Sequence, residues 1–189
     1  MKTKSIILLA SLLFCASFNA NAFVVDVNGL YMSDTLDQTT EATSTKMMAD
    51  ASVGISLVQD QWFLIGLSFL SGNVTDKSAG VTNSWSTTDL GLRLFVFIDR
   101  IKNWGLGVDY NIDARGKIVT GASTEYWRGS SYKIDFGYTP LLFHKVYFGV
   151  RVNYYVAAYD QSSSDNITFV AEKNTRTMLY PSLYLGLRF

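Results

Sequence analysis

The sequence has few of the features by which binding or catalytic chemistry is usually recognised. Its 189 residues include one cysteine, Cys15, and one histidine, His144. No metal-ligand cluster and no phosphate-binding glycine loop stands out. Beyond residue 22, no stretch approaches the roughly 20 apolar residues that a membrane-spanning helix needs. Because 48% of the residues are nevertheless hydrophobic, these residues must follow some other pattern.

The first 22 residues have the order of a secretory signal peptide. Two lysines precede an apolar run at residues 6–14, which is too short to cross a bilayer as a helix. Ala20-Asn21-Ala22 then presents the small side chains of a cleavage site. We expect cleavage after Ala22. A lipoprotein signal that uses Cys15 is the alternative, but Phe14 is larger than the residue usual at that position.

Cleavage at that point leaves residues 23–189, enough for one domain. This mature chain has no cysteine, which excludes disulfides and thiolate metal sites. Its net charge is close to −2, because two lysines leave with the signal peptide. Nothing in this composition indicates nucleic-acid binding, and we expect no cofactor.

Apolar residues alternate with polar ones along most of the mature chain. In residues 47–57 the odd positions are Met47, Ala49, Ala51, Val53, Ile55 and Leu57. This period of two predicts a strand with one apolar face. The same pattern recurs at residues 90–98, 104–112, 146–158 and 179–189, and more weakly at 23–32, 62–70 and 125–138. We therefore expect an all-β domain of eight antiparallel strands.

The residues on the two faces favour a membrane barrel over a soluble sandwich, which would also alternate. An even number of strands of roughly 9 to 11 residues is typical of bacterial membrane barrels. In a soluble barrel of this size, the large apolar side chains would overfill the lumen. The polar faces carry glycine, serine, aspartate and arginine instead. Such residues suit an interior surrounded by lipid.

Connections of two kinds are predicted between the strands. Polar connections rich in Ser, Thr, Asp and Asn are expected at residues 33–45, 71–83, 114–123 and 160–176, and short turns at 59–61, 99–103 and 139–144. This asymmetry predicts short turns and both termini on the periplasmic side. Aromatic residues at strand ends predict two girdles at the membrane surfaces. These are Trp62, Trp104, Tyr138 and Phe189 on the periplasmic side, and Trp85, Tyr126, Trp127 and Tyr159 on the outer side.

The last seven residues, Leu183-Tyr184-Leu185-Gly186-Leu187-Arg188-Phe189, resemble the C-terminal signal of outer-membrane β-barrel proteins. With the strand pattern, the chain resembles small barrels of the OmpA or OmpX type. The resemblance implies an eight-stranded antiparallel up-and-down transmembrane β-barrel over residues 23–189, exported through the periplasm to the bacterial outer membrane. It also implies two kinds of partner, outer-membrane lipids and the barrel assembly machinery. In that signal the outward positions are Leu183, Leu185, Leu187 and Phe189.

Ten charged residues are expected to face the barrel interior. They are Asp26, Asp50, Asp89, Arg93, Asp109, Asp113, Lys133, Asp135, Arg151 and Arg188. Buried charges must pair, because an unpaired one costs several kcal/mol. A salt-bridged plug is the interpretation we favour, and a proton or ion path is the alternative.

One strand departs from a plain lipid-facing pattern, because Arg128 and Ser130 fall on its outward face between Tyr126 and Tyr132. A charge near the rim can extend to the headgroups. An alternative hypothesis is that these residues, together with Ala49 and Ala51, form a subunit contact in a homo-oligomer.

Enzyme chemistry is not expected. Lipid-modifying barrels use a histidine near the outer leaflet, whereas His144 falls in a predicted periplasmic turn. We expect a structural or interaction role through the outer loops. A narrow pore or a conduit for small ligands or lipids is the second interpretation, and a lipid-modifying enzyme is the third.

Overall fold

The structure is a computed structural model that describes residues 23–36, 42–56, 58, 62–78 and 80–189. The predicted signal peptide and its cleavage site lie outside the described residues. No helix among the described residues has the length and apolar character needed to cross a membrane.

The described residues form nine β-strands. Their bounds are β1 Phe23–Leu36, β2 Ala42–Ser56, β3 Phe63–Ser78, β4 Val81–Phe97, β5 Trp104–Thr120, β6 Ser123–Tyr138, β7 Leu141–Phe143, β8 Val146–Ser163 and β9 Val170–Arg188. All of them except β7 contain 14 to 19 residues.

The eight long strands close into a barrel. Strands β1 to β5 each pair antiparallel with the next strand, β6 pairs with β8, and β8 pairs with β9. Pairing of β9 with β1, which sets Val24 opposite Arg188, closes the ring. The three-residue β7 pairs only with β8 and lies in the connection that precedes it. The predicted fold class, an eight-stranded antiparallel up-and-down barrel, is confirmed.

Both ends of the described chain meet at one rim of the barrel. The backbone N–H of Phe23 donates to the carbonyl of Phe189 at 3.1 Å, and that of Phe189 donates back at 2.8 Å. Strands β2, β4 and β6 end at this same rim, which we call the short-turn rim. The opposite end, which carries the β1–β2, β3–β4, β5–β6 and β8–β9 hairpins, is called the hairpin end.

The period of two places polar side chains inside the barrel and apolar ones outside. Among the described residues, buried polar or charged side chains outnumber buried apolar ones by 20 to 16. Outward-facing Val108, Ile134 and Val150 are 39%, 40% and 56% exposed. The outer wall is therefore apolar and the interior polar, the reverse of the distribution in a soluble protein.

The long loops predicted at residues 71–83 and 114–123 are wrong. Strand pairing continues through these segments, so that Ser78 pairs with Val81 and Thr120 pairs with Ser123. Gly80 and Gly121 occupy these turns with φ of 76° and 59°, which glycine adopts without steric cost. Serine and threonine residues in these segments predict loops, but such residues also suit strands exposed to water.

The strands are consequently longer than a membrane crossing requires. Strand β9 has 19 residues, which at about 3.3 Å per residue make it about 60 Å long. Tilted by about 45°, it rises about 45 Å, well beyond the apolar band of about 25 Å that is typical of such barrels. The hairpins therefore extend past the apolar part of the wall.

A β-bulge in β5 changes which of its side chains face inward. Gly91 pairs with Asn111, but its neighbour Leu90 pairs with Asp113, so Ile112 is an extra residue. Asp113 consequently turns outward, where its side chain is 45% exposed and pairs with Arg115. The prediction that Asp113 faces the interior is wrong, because simple alternation cannot include a bulge.

Candidate functional site in the barrel interior

The structure places the other nine charged residues inside the barrel, each at most 4% exposed. They are Asp26, Asp50, Asp89, Arg93, Asp109, Lys133, Asp135, Arg151 and Arg188. Five acidic and four basic side chains therefore share the lumen. Their local geometry shows which of them are paired.

Arg93 on β4 is the centre of the largest group. Its Nη1 lies 2.7 Å from Asp109 Oδ1 and 2.9 Å from Asp135 Oδ2. Its Nε lies 3.9 Å from Asp26 Oδ2 on β1. A planar guanidinium has five donors in fixed directions, so one arginine can engage several carboxylates. Arg93 thus connects β1, β4, β5 and β6 through the lumen.

Lys133 on β6 extends this group to β2. Its Nζ lies 2.7 Å from Asp50 Oδ1 and 2.9 Å from Asp109 Oδ2. The Asn28 side chain donates to the same Asp50 oxygen at 2.8 Å. Because Asp50 and Lys133 come from strands on opposite sides of the ring, their contact spans the lumen.

Arg151 on β8 completes the group. Its Nη1 lies 2.7 Å from Asp135 Oδ1, and its guanidinium stacks 3.7 Å from the Tyr184 ring centroid and 4.6 Å from that of Phe95. We call the joined set the charged network. Its members are Asp26, Asp50, Arg93, Asp109, Lys133, Asp135 and Arg151.

Arg188 lies apart from the charged network, near the short-turn rim. Its guanidinium is 3.9 Å from the ring centroid of Phe97 and 3.9 Å from that of Tyr147. None of its nitrogens has a hydrogen-bond partner within the described part of the chain. The aromatic faces stabilise this cation by their quadrupoles, an attraction that strengthens when water is excluded.

Asp89 has hydroxyl partners in place of a cation. Thr87 Oγ1 donates to its Oδ1 at 2.5 Å, and Ser131 Oγ and Tyr155 Oη each donate to its Oδ2 at 2.6 Å. Ser131 also accepts a hydrogen bond from Asn111 Nδ2 at 2.9 Å. Hydroxyl donors of this kind stabilise a buried carboxylate without a counter-ion.

An apolar and aromatic cluster fills the lumen on the hairpin side of Asp89. We call it the hairpin-side cluster. Its buried members are Met48, Leu70, Val74, Trp85, Ala114, Tyr155, Ala157, Tyr159 and Tyr180. Its position means that the charged network is covered at the end of the barrel from which the hairpins extend.

Three of its aromatic contacts correct the predicted outer girdle. Trp85 and Tyr159 are only 4% and 2% exposed, and Trp127 packs against the same cluster. Trp85 has the same parity as Asp89 and Arg93 on β4, so strict alternation already placed it inside. The error came from treating aromatic residues at predicted strand ends as lipid-facing. Tyr126 does lie on the outward face, alternate to Trp127.

The charged network borders a small void at the barrel wall. A void of about 10 Å³ borders Asp26, Ser52, Arg93 and Phe95, which is room for about one water molecule. Eight strands enclose an interior that side chains fill. The arrangement is suited to holding opposite walls together, and it offers no described group of three or more His, Cys, Asp or Glu residues for a metal ion.

The residues expected at a subunit contact do not form one patch. Tyr126, Arg128, Ser130 and Tyr132 share the outward face of β6, and Ala49 and Ala51 lie on the outward face of β2. Strands β2 and β6 are four positions apart either way around the eight-stranded ring. They therefore lie on opposite sides and form no continuous surface on one barrel, and the homo-oligomer stays a prediction.

The remaining predicted residues lie on the outer surface. Leu183, Leu185 and Leu187 face outward on β9 and are 58%, 48% and 37% exposed, and Phe189 at the rim is 57% exposed. His144 is exposed in the turn between β7 and β8, at the short-turn rim, with φ of 27°.

No protein-family model matches the chain, and no curated protein matches it. Solved structures are similar to it, among them the following two. Neisserial surface protein A (NspA) has 12% sequence identity and a TM-score of 0.48, over 89% of this chain and 96% of that one. Outer membrane protein OprG from Pseudomonas aeruginosa has 11% identity and a TM-score of 0.42, over 90% and 96%. At these values neither likeness transfers a function, and the architecture rests on the strand pairing itself.

Proposed function

We propose that the chain is a non-enzymatic barrel of the bacterial outer membrane, with a closed interior that holds the wall together and hairpins that carry an interaction role. The observation that carries the proposal is a polar lumen, in which seven charged side chains form one network, inside an apolar outer wall. Only a bilayer makes that distribution favourable, because apolar side chains such as Val108, Ile134 and Leu183 would otherwise face water.

The closed interior supports a structural role over conduction. The charged network joins β2 to β6 across the lumen through Asp50 and Lys133 at 2.7 Å, and the hairpin-side cluster covers it. An ion would have to displace paired charges whose separation costs several kcal/mol.

The hairpins support an interaction role because they combine exposure with order. In the β8–β9 connection, Asp165 accepts hydrogen bonds from the Ser163 hydroxyl at 2.7 Å and from the backbone N–H groups of Thr168 and Ile167 at 2.8 Å. These bonds, the Ser163 hydroxyl first, lower the pKa of the Asp165 carboxyl below its usual range. Exposed segments held on a rigid scaffold are where binding residues are commonly found.

Membrane location is tested by fractionating cells that express the full chain and comparing heated with unheated samples by gel electrophoresis. We expect the protein in the outer-membrane fraction, with a mobility that changes on heating because the barrel resists detergent until it unfolds. Recovery in the soluble periplasmic fraction without a heat shift would overturn the proposal.

The closed interior is tested by conductance in a planar bilayer. We expect no discrete current steps from the purified barrel, since the lumen is filled. Alanine replacement of both Lys133 and Arg93 serves as the comparison, because it removes the side chains that span the lumen. Steady current steps from the unaltered protein would instead establish a pore.

A further inference from the structure

The outer wall changes from apolar to charged at one height on β5 and β6. Below this height Tyr110 pairs with Tyr132, and both side chains are exposed on the outer surface. Above it Arg115 pairs with Arg128, again with both side chains outward. Ile112, which is 65% exposed, stands between the two levels. In a membrane-embedded barrel this boundary is where the lipid headgroups lie.

Two arginines directly opposite each other on one face are unusual, because like charges at cross-strand positions destabilise a sheet. The β5 bulge is the reason for this pair. Inward-facing residues of β5 are odd-numbered up to Asn111, so unbroken alternation would turn Arg115 into the lumen. The extra Ile112 reverses the alternation and brings Arg115 beside Arg128.

The two arginines differ in their partners. Arg115 forms a two-point contact with Asp113, at 2.8 Å from Nη2 and 3.2 Å from Nε. Arg128 lies with its guanidinium 3.8 Å from the Phe169 ring centroid and has no salt bridge among the described residues. Stacking on a ring leaves the in-plane N–H donors of a guanidinium free for an anion.

A depression of about 640 Å³ lies beside this pair on the outer surface. Its basic lining residues are Arg115, Arg128 and Lys173, and its acidic ones are Asp113 and Asp160. Asp113 is already paired with Arg115. The other two basic residues, Arg128 and Lys173, therefore face only one further carboxylate in the lining, that of Asp160. Ser130 and Gln161 add neutral hydrogen-bonding groups to the wall.

We propose that this depression binds the phosphate group of a membrane lipid, with the phosphate bridging Arg115 and Arg128. Guanidinium groups bind phosphate through paired N–H···O bonds, and an anion between them removes the repulsion of the like charges. A lipid is the source because the site adjoins the exposed apolar surface at Ile112, on which acyl chains pack. The proposal rests on the membrane location proposed above.

The test is native mass spectrometry of the full barrel in a neutral detergent with lipid A, a phosphorylated glycolipid, as the probe. Arg128→Gln should weaken binding about tenfold, the loss expected from one charge-assisted interaction. Arg128→Lys, which keeps the charge but loses the paired N–H donors of the guanidinium, should retain part of the affinity. Arg100→Gln, an exposed arginine in the turn at the opposite rim, is the matched control and should leave binding unchanged.

Two further probes separate the sources of the signal. The unaltered barrel should bind lipid A without phosphates about as weakly as Arg128→Gln binds intact lipid A. If the unaltered barrel binds both forms of lipid A equally well, the proposal is overturned. Inorganic phosphate at the lipid's concentration should not displace lipid A; displacement would show a phosphate site without lipid specificity. Unchanged binding by Arg128→Gln would also overturn the proposal.

Stability provides a second readout that separates this proposal from membrane location. In vesicles of phosphatidylcholine, Arg128→Gln should unfold at a urea concentration close to that of the unaltered chain, because it loses both the repulsion from Arg115 and the stacking on Phe169. With lipid A present it should unfold at a lower concentration than the unaltered chain. If the unaltered barrel inserts but lipid A does not make it more stable than Arg128→Gln, only the phosphate site is wrong. If the unaltered barrel fails to insert, the membrane location is wrong.

Discussion

Two neighbouring regions of the described lumen fill the same kind of space with different chemistry. The charged network lies in the middle of the barrel and consists of seven side chains in contact. The hairpin-side cluster lies beyond Asp89 and consists mainly of aromatic and aliphatic side chains. Charges lie where the wall is apolar outside, and aromatic residues lie where the hairpins leave the apolar band.

The comparison shows which kind of interaction stabilises the barrel in its middle and which stabilises it toward the hairpins. At the proposed membrane location, lipid around the middle of the barrel would offer no hydrophobic gain from burying apolar groups inside, and directional ion pairs such as Lys133 with Asp50 connect the walls there. Toward the hairpins the outer surface is polar, and burying Trp85 and Tyr159 removes apolar area from water as in a soluble protein. The chain thus changes from a membrane type of core to a soluble type along its own axis.

Breaking the charged network should have the largest effect. Lys133→Met removes the cation between Asp50 and Asp109, and breaking a buried pair costs about 3 to 5 kcal/mol. We expect a correspondingly lower urea midpoint for the barrel in phospholipid vesicles, followed by tryptophan fluorescence. Lys77→Met, an exposed lysine near a hairpin tip, is the control and should change little.

A second variant shows whether that loss is electrostatic. Replacing Asp50 by Asn together with Lys133→Met removes both charges, so the double variant should be more stable than Lys133→Met alone. If the two variants unfold at the same urea concentration, the loss comes from packing, and the comparison between the two regions fails on the charged side.

The boundary between the regions is expected to tolerate little added volume. Gly91 faces inward opposite Asn111, and a Cβ there would lie 2.1 Å from the Tyr110 carbonyl and 2.4 Å from Asn111 Cα. Because backbone atoms must move, Gly91→Ala should cost roughly 2 to 3 kcal/mol in the same urea assay. Gly29→Ala is the matched control, since nothing lies within 4 Å of its Cβ position. If the two variants were equally stable, the β5 backbone at the bulge would be able to shift and accommodate the added Cβ.

Alternation was sufficient to predict much of this arrangement. It placed Asp26, Lys133 and Arg151 in the lumen because a strand that crosses lipid must turn its polar face inward. It could not give the pairing between them, since contacts such as Asp50 with Lys133 depend on the closed ring. Alternation also could not identify the hydroxyl donors to Asp89, because serine, threonine and tyrosine occur on outward faces as well as on inward ones.

The errors have two physical causes. Alternation predicts that Asp113 faces the lumen, because the β5 bulge changes the sequence pattern very little. The only sign of the reversal is that Ala114 and Gly116 stand where larger side chains would be expected. Trp85 and Tyr159 were assigned to a girdle because strand ends were placed where polarity rose. The strands in fact continue as paired hairpins, so their inward aromatic residues form a core.

The hairpin-side cluster is expected to show the smallest single effect, at its contact with Asp89. Tyr155→Phe keeps the ring, which is fully buried, and removes the hydroxyl that donates to Asp89 at 2.6 Å. Losing one hydrogen bond to a carboxylate should cost about 1.5 kcal/mol. The neighbouring Tyr154→Phe is the control, because Tyr154 faces outward and is 42% exposed. If Tyr155→Phe were as stable as Tyr154→Phe, then Asp89 would not depend on its hydroxyl donors, and the aromatic region would be held by packing alone.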